Sequence, residues 1–266
     1  MRPPIHTNIM IAPDKAGRQI RQAMVLAAGL GERMRPLTET MPKPMIPVGG
    51  YPIIDRILNG LVIGGIERVV VNSFYLAEIL EEHLATRQRP EIIISREPER
   101  LETGGGVLHA IEHFGEEPFF LINGDTLWLD GPTPTFDRLE TLWDDDTMDA
   151  LLLLHSTVAA YGYNGTGDFL VDPEGRLTRR PENEVSPYVF TGTQILHPRL
   201  FTGDVRDGAL GNVFSLNKLF DRALEAERLY GIVHDGEWFH IGTPDALQEV
   251  EAFLDDPYPG AEHRSS

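Results

Sequence analysis

The 266-residue chain contains no cysteine, which excludes disulfides, thiolate nucleophiles and cysteine-ligated zinc. A chain without thiols fits a reducing compartment, so a cytoplasmic location is expected. Basic residues are scarce as well: 23 Lys and Arg stand against 41 Asp and Glu, a formal net charge of −18. That balance argues against nucleic acid or an anionic membrane as a partner, because both attract a basic face. Long apolar runs are also missing, none approaching the roughly 20 residues needed to cross a bilayer. A soluble protein without an internal repeat is expected.

The length suits one α/β domain. Residues 1–22 read as a flexible leader that lacks the apolar stretch and small-residue cleavage site of a secretory signal. Residues 23–254 read as the folded unit, and 255–266 as a Pro- and Gly-rich flexible tail. Within the unit, Ala23 to Ala28 (AMVLAA), Arg68 to Asn72 (RVVVN), Glu91 to Ser95 (EIIIS) and Phe119 to Ile122 (FFLI) have the composition of buried strands. Helical spacing separates them: Ile53, Ile54, Ile57, Leu58 and Leu61 after Pro52, then Leu76, Ile79, Leu80 and Leu84, then a helix over 106–114. The alternation predicts a mainly parallel sheet covered on both faces, with ligands at the carboxyl ends of its strands. Beyond the strand at Asp149 to Leu154 the pattern changes to a hairpin, 169–171 and 177–180 about Asp172-Pro173-Glu174-Gly175, followed by a strand from Tyr188 to Leu196. Two late helices complete the chain, one capped by Ser215 with Leu216, Leu219, Phe220, Ala223 and Leu224 as its stripe, the other by Thr243-Pro244.

The most informative segment is LAAGLGERMRPLT at 26–38, followed by Pro42-Lys43-Pro44. Gly29 and Gly31 let backbone amides approach phosphate oxygens, and Arg33 and Lys43 supply the positive charge that the rest of the chain lacks. A dinucleotide-binding loop would need a third glycine and an immediate helix, which Pro36, Pro42, Pro44 and Pro47 forbid. A Walker loop is excluded by the absence of Gly-Lys-Ser/Thr.

The whole string resembles the signature of the sugar-phosphate nucleotidyltransferases. Three further motifs follow in that family's order: LETGGG at 101–106, Asn123-Gly124-Asp125, and WFHIGT at 238–243. Within the family, LETGGG, Gly167-Asp168-Phe169 and ILHPRLF at 195–201 look most like the branch of uridylyltransferases acting on N-acetylmuramate 1-phosphate. The resemblance implies a Rossmann-like three-layer fold: a mixed, mostly parallel central sheet flanked by helices, with a small antiparallel sugar-binding extension. It also implies transfer of a nucleotidyl group from a nucleoside triphosphate to a sugar 1-phosphate with release of pyrophosphate.

Roles follow residue by residue. The resemblance places nucleotide contacts at Ala27, Ala28, Gly29, Gly31, Glu32, Arg33, Lys43, Glu102, Gly104, Gly105 and Asn123, with Arg33, Lys43 and Asp125 as the catalytic set. Such a reaction brings two anions together, so positioning and charge neutralisation serve it better than a protein nucleophile. Asp125 corresponds to the family's Mg2+-binding aspartate. His240 stands where the family carries its second metal-binding aspartate, and imidazole suits Mn2+ or another divalent ion better than Mg2+. Three roles stay open for it: ligand to a softer metal, hydrogen-bond partner of a metal-bound water or of the sugar phosphate, or mark of weakened catalysis. Asp168, Thr191, Gly192 and His240 fall where the family contacts the sugar. Arg179-Arg180 departs from the family's Glu-Lys and reads as an exposed hairpin charge pair. Two other functions remain in view: a guanylyltransferase for a mannose- or heptose-like 1-phosphate, and a nucleotide-sugar-binding regulatory subunit that has lost turnover.

Overall fold

A computed structural model describes residues 20–255. The expected leader up to residue 19 and the tail from 256 lie outside the described residues. Ile20 is already buried.

In chain order the elements are β1 (Gln22–Leu26), β2 (Pro47–Val48), β3 (Tyr51–Pro52), α1 (Ile53–Ile63), β4 (Arg68–Ser73), α2 (Ala77–Ala85), β5 (Glu91–Arg96), α3 (Glu102–Ala110) and β6 (Phe119–Asn123). They continue with β7 (Thr126–Leu129), α4 (Thr135–Leu142), β8 (Ala150–Ser156), β9 (Phe169–Val171), β10 (Leu177–Arg179), β11 (Tyr188–Leu196), α5 (Asn217–Glu225), β12 (Leu229–Val233), β13 (Glu237–His240) and α6 (Pro244–Asp255). Among the described residues no helix is long and apolar enough to cross a membrane.

A nine-stranded sheet runs β10-β9-β11-β6-β1-β4-β5, with β8 on the free edge of β11 and β12 beyond β8. β1 lies parallel to β4 and β6, and β4 to β5, whereas β11 enters antiparallel between β6 and β8. This is the mixed, mostly parallel sheet expected. The β9–β10 hairpin, paired Phe169↔Arg179, is the antiparallel extension.

Alternate residues of β1 enter different cores, which explains why every residue from Ala23 to Leu26 is apolar. Ala23 and Val25 pack with Ile57 and Leu61 of α1, Leu80 of α2, Leu139 of α4 and Val250 of α6. Met24 packs with Val107 of α3 and with Leu219 and Phe220 of α5. Each fully buried aliphatic side chain of this kind contributes about 1.5–3 kcal/mol, so the strand is held from both sides. The result is three layers, helix on sheet on helix.

Two boundaries differ from expectation. The third helix starts at Glu102 and stops at Ala110, with a 3-10 turn over Ile111–Phe114, instead of spanning 106–114. Three successive glycines are poor helix formers, but here their bare α-carbons admit the Phe214 ring, the Asn212 carbonyl and the Asn72 and Glu97 side chains, and that packing overrides propensity. The helix after Ser215 starts at Asn217 with Leu216 as N-cap, and the Ser215 hydroxyl accepts only the Asn217 N–H, at 3.3 Å. Thr243 does cap α6, its hydroxyl accepting from the Ala246 N–H at 3.2 Å. Strand β12 and the two-stranded β7–β13 ribbon were not expected, the last because its partners are more than a hundred residues apart in the chain.

Candidate active site

The carboxyl ends of β1, β4, β5 and β6 lie along one edge of the sheet, and the segments leaving them enclose a cleft of about 570 Å³. That is the topological position where open α/β sheets bind ligands. Ala27, Ala28, Gly29, Gly31, Glu32, Arg33, Lys43, Glu102, Asn123 and Asp125 all line it.

The loop after β1 owes its shape to its prolines and to one glycine. Prolines prevent a continuous helix, and the chain advances through three short 3-10 turns, Glu32–Met34, Leu37–Glu39 and Lys43–Met45. Gly31 has φ +63°, and a β-carbon there would sit 2.8 Å from Thr38 Cγ2. The Thr38 hydroxyl donates to the Gly31 carbonyl at 2.8 Å, and the Tyr75 hydroxyl donates to the Thr38 carbonyl at 2.9 Å, bracing the loop from the β4–α2 connection. Gly29 differs, because nothing lies within 4 Å of where its β-carbon would be. Its missing side chain keeps the cleft open.

Lys43, only 8% exposed, donates from Nζ to Asp125 Oδ2 at 2.8 Å. Asp125 leaves the end of β6, and 27% of its side chain is accessible. Burial alone would raise its carboxyl pKa, but Lys43, then His240 and Arg33, outweigh that and hold it below the usual carboxylate value. Arg33 is exposed and makes no hydrogen bond or ion pair to another described side chain, so its guanidinium is available to a ligand. An exposed arginine and a buried lysine thus share the cleft with Asp125 and with Glu32, Glu97 and Glu102. Around Asp125 the arrangement suits a polyanion: Arg33 is a free donor, and Lys43 already neutralises that carboxylate.

His240 reaches this place through the β7–β13 ribbon. It pairs with Thr126, and the Ile241 N–H donates to the Asp125 carbonyl at 3.0 Å. Its ring stacks on Trp238, with centroids 6.0 Å apart, and lies against Gly242, which lines the cleft. Burial lowers its pKa, Lys43 and Arg33 add to the effect and Asp125 opposes it, so the imidazole is neutral at neutral pH.

Other expected contacts are drawn elsewhere. Gly104 and Gly105 do not floor the cleft: a β-carbon on Gly104 would run into the Phe214 ring and one on Gly105 into the Asn212 carbonyl, and both N–H groups donate to the Phe214 carbonyl. Thr191 is fully buried, with its hydroxyl donating to the Leu153 carbonyl at 2.8 Å and its carbonyl accepting from Trp238 Nε1 at 3.0 Å. Gly192 sits at the irregularity in β11 with φ +86°, its α-carbon against Asn123. The Asp168 carboxylate accepts from the Phe190 N–H at 2.8 Å. None of these lines the cleft, because side-chain and backbone packing uses them first. Arg179 pairs with Asp221 and lies over the Phe169 ring, while Arg180 donates to the carbonyls of Gly167, Pro181 and Glu184.

The cleft also contains residues to which the sequence assigned no ligand contact: Asn72, Glu97, Arg100, Thr103 and Ser215. The only advance signal was position, since Asn72 ends one apolar strand and Glu97 closely follows another.

The Nucleotidyl transferase family profile matches residues 22–256. N-acetylmuramate alpha-1-phosphate uridylyltransferase of Caulobacter vibrioides is 40% identical over 237 residues, covering 87% of this chain and 96% of its own. The protein with the same description from Neisseria meningitidis serogroup B is 34% identical, covering 87% of this chain and 97% of its own. Among solved structures, HddC from Yersinia pseudotuberculosis complexed with GMP-PN matches with a TM-score of 0.70 at 20% identity, over 88% of this chain and 100% of its own. At that identity the likeness is one of fold.

Proposed function

We propose a specific reaction for this chain, which belongs to the nucleotidyl transferase family: transfer of the uridylyl group of UTP to N-acetylmuramate 1-phosphate, giving the nucleotide sugar and pyrophosphate. The setting would be cytoplasmic recycling of cell-wall sugars. Two relatives that share one description across nearly the full length support the substrate pair. The observation that carries the chemistry is the Lys43–Asp125 contact at 2.8 Å in the same cleft as Arg33.

An oxygen of the sugar phosphate attacks the α-phosphorus, and the bond from that phosphorus to the oxygen bridging to the β-phosphorus breaks. Pyrophosphate leaves with the electron pair. Both partners are anions, so the protein's task is to hold them in line and neutralise charge. Arg33 presents a planar fork suited to the departing pyrophosphate, and Lys43 a point charge that can follow the α-phosphate. The bare α-carbon of Gly29 lets the loop amides approach the phosphates.

The residues present fit a divalent ion held largely by its substrates. Asp125 Oδ1 accepts no hydrogen bond, and among the described residues no group of three metal-binding side chains exists. Asp125 would hold Mg2+ or Mn2+ with phosphate oxygens and water completing the shell, and neutral His240 would hydrogen-bond one of those waters or the sugar phosphate. Bound there, the ion would neutralise phosphate charge.

The test pairs each nucleoside triphosphate with a panel of sugar 1-phosphates, reading pyrophosphate release and product mass. UTP with N-acetylmuramate 1-phosphate should give the highest kcat/KM. Preference for GTP with a mannose or heptose 1-phosphate would overturn the substrate assignment. Nucleotide-sugar binding without pyrophosphate release under Mg2+, Mn2+ and Co2+ would instead identify a sensor.

A further inference from the structure

Behind the cleft, four chain segments meet in a polar relay that the reaction above does not employ. Asn72 Oδ1 accepts from the Ala27 N–H at 2.5 Å, and Asn72 Nδ2 donates to Glu97 Oε1 at 2.7 Å. Glu97 Oε2 accepts from the Leu101 N–H at 3.0 Å. Asn72 is 2% exposed and Glu97 5%. The Glu97 side chain makes no ion pair with a described residue, only these two hydrogen bonds.

A buried carboxylate without a cation is costly, and apolar side chains could join the same segments at less expense. Space is nevertheless kept for it. A β-carbon on Gly106 would lie 2.6 Å from Glu97 Oε1 and 2.9 Å from Asn72 Nδ2, so the third glycine of LETGGG serves the relay while the first two serve the 212–216 segment. One end of the relay lines the cleft and the other adjoins a residue that does. Ala27 begins the phosphate loop, and Leu101 precedes Glu102, which holds φ +60° without being glycine. A non-glycine residue in that region stores strain that surrounding structure must impose.

We infer that Glu97 is a positioning residue for the bound nucleotide. Directly through Leu101, and through Asn72 to Ala27, it sets the separation between the backbone leaving β1 and the first turn of α3. The nucleoside therefore meets a cleft whose two walls are already at their binding distance. Because the Ala27 N–H is taken by Asn72, that residue has only its carbonyl to offer a base. The inference rests on reading the cleft as a nucleoside triphosphate site.

Reversal of the central hydrogen bond tests it. E97Q turns an amide toward one of two N–H donors, and N72D sets a second carboxylate against the first. In N72D/E97Q the new amide donates to the new carboxylate, while Ala27 and Leu101 keep their acceptors. Each single variant should raise KM for UTP about tenfold, with kcat and KM for the sugar phosphate within about twofold of wild type, and the double variant should recover most of the loss. Melting temperatures measured alongside separate this from a merely structural contact, which would lower stability in the single variants but leave KM for UTP unchanged at temperatures where they are folded. Folded single variants with wild-type KM for UTP, or a folded double variant whose KM stays raised, would overturn the positioning role. If a single variant does not fold, the double variant alone decides by the same measure. A wild-type enzyme that turns over no nucleoside triphosphate fails the functional assignment itself, before any variant is compared, and the positioning role falls with it.

Discussion

At the residue scale, Gly29 and Gly31 stand two positions apart yet answer to different constraints. Gly31 is required by the protein's own backbone, and Gly29 by what must fit beside it. Gly31→Ala should therefore cost roughly 1–3 kcal/mol of folding stability in urea titrations. Gly29→Ala should stay within about 0.5 kcal/mol of wild type in the same titrations while raising KM for the nucleoside triphosphate. Lys43→Met removes the charge that neutralises Asp125 and the reacting phosphate. Stopped-time assays of pyrophosphate release should show kcat down by about 10²–10³-fold, and a variant within a few-fold of wild type would remove Lys43 from the catalytic set. His240→Asp restores an oxygen ligand beside Asp125, so turnover with Mg2+ should persist at a lower half-saturating Mg2+ concentration. A folded but inactive aspartate variant would show that the imidazole has a task that a carboxylate cannot perform.

At the scale of elements, the start of α3 shows tertiary packing overruling local preference. Glycines at 104, 105 and 106 would weaken an isolated helix, yet here they admit Phe214, Asn212 and the Asn72–Glu97 relay respectively. Gly105→Ala gains helix propensity of about 1 kcal/mol but drives a methyl group into the Asn212 carbonyl. The net effect should be destabilising, with the unfolding midpoint in urea lowered and KM for nucleotide raised as the 212–216 segment shifts. A raised midpoint would mean that this segment yields freely. The β7–β13 ribbon works comparably: its antiparallel register, Thr126 opposite His240, brings the WFHIGT segment to Asp125.

For the molecule as a whole, folding stability should carry a histidine signature. His234 is 5% exposed, donates from Nε2 to the Leu129 carbonyl at 3.0 Å and has no partner for Nδ1. Burial lowers its pKa, and neighbouring His155 adds to the effect. The unfolded chain, titrating near about pH 6.5, then binds the proton more readily than the folded one, so the stability gained from neutral His234 declines as pH falls below that value. Melting temperature should fall more for wild type than for His234→Gln between about pH 8 and about pH 5.5; the difference between the two cancels the general effect of the −18 charge. Identical slopes would show that His234 does not couple to folding. On this scale, too, the sequence and the structure divide their contributions. Runs such as AMVLAA and FFLI, and the glycine–proline spacing of LAAGLGERMRPLT, already determined a sheet buried on both faces and a non-helical phosphate loop at a strand end, because burial and backbone restriction act through near neighbours in the chain. Tertiary structure alone decided that Gly104 and Gly105 face a distant segment, that Thr191 is spent on Leu153, that Glu97 answers Asn72, and that His240 stands beside Asp125. Those outcomes depend on which remote strands pair and which side chains compete for the same donors, and no local pattern encodes that competition.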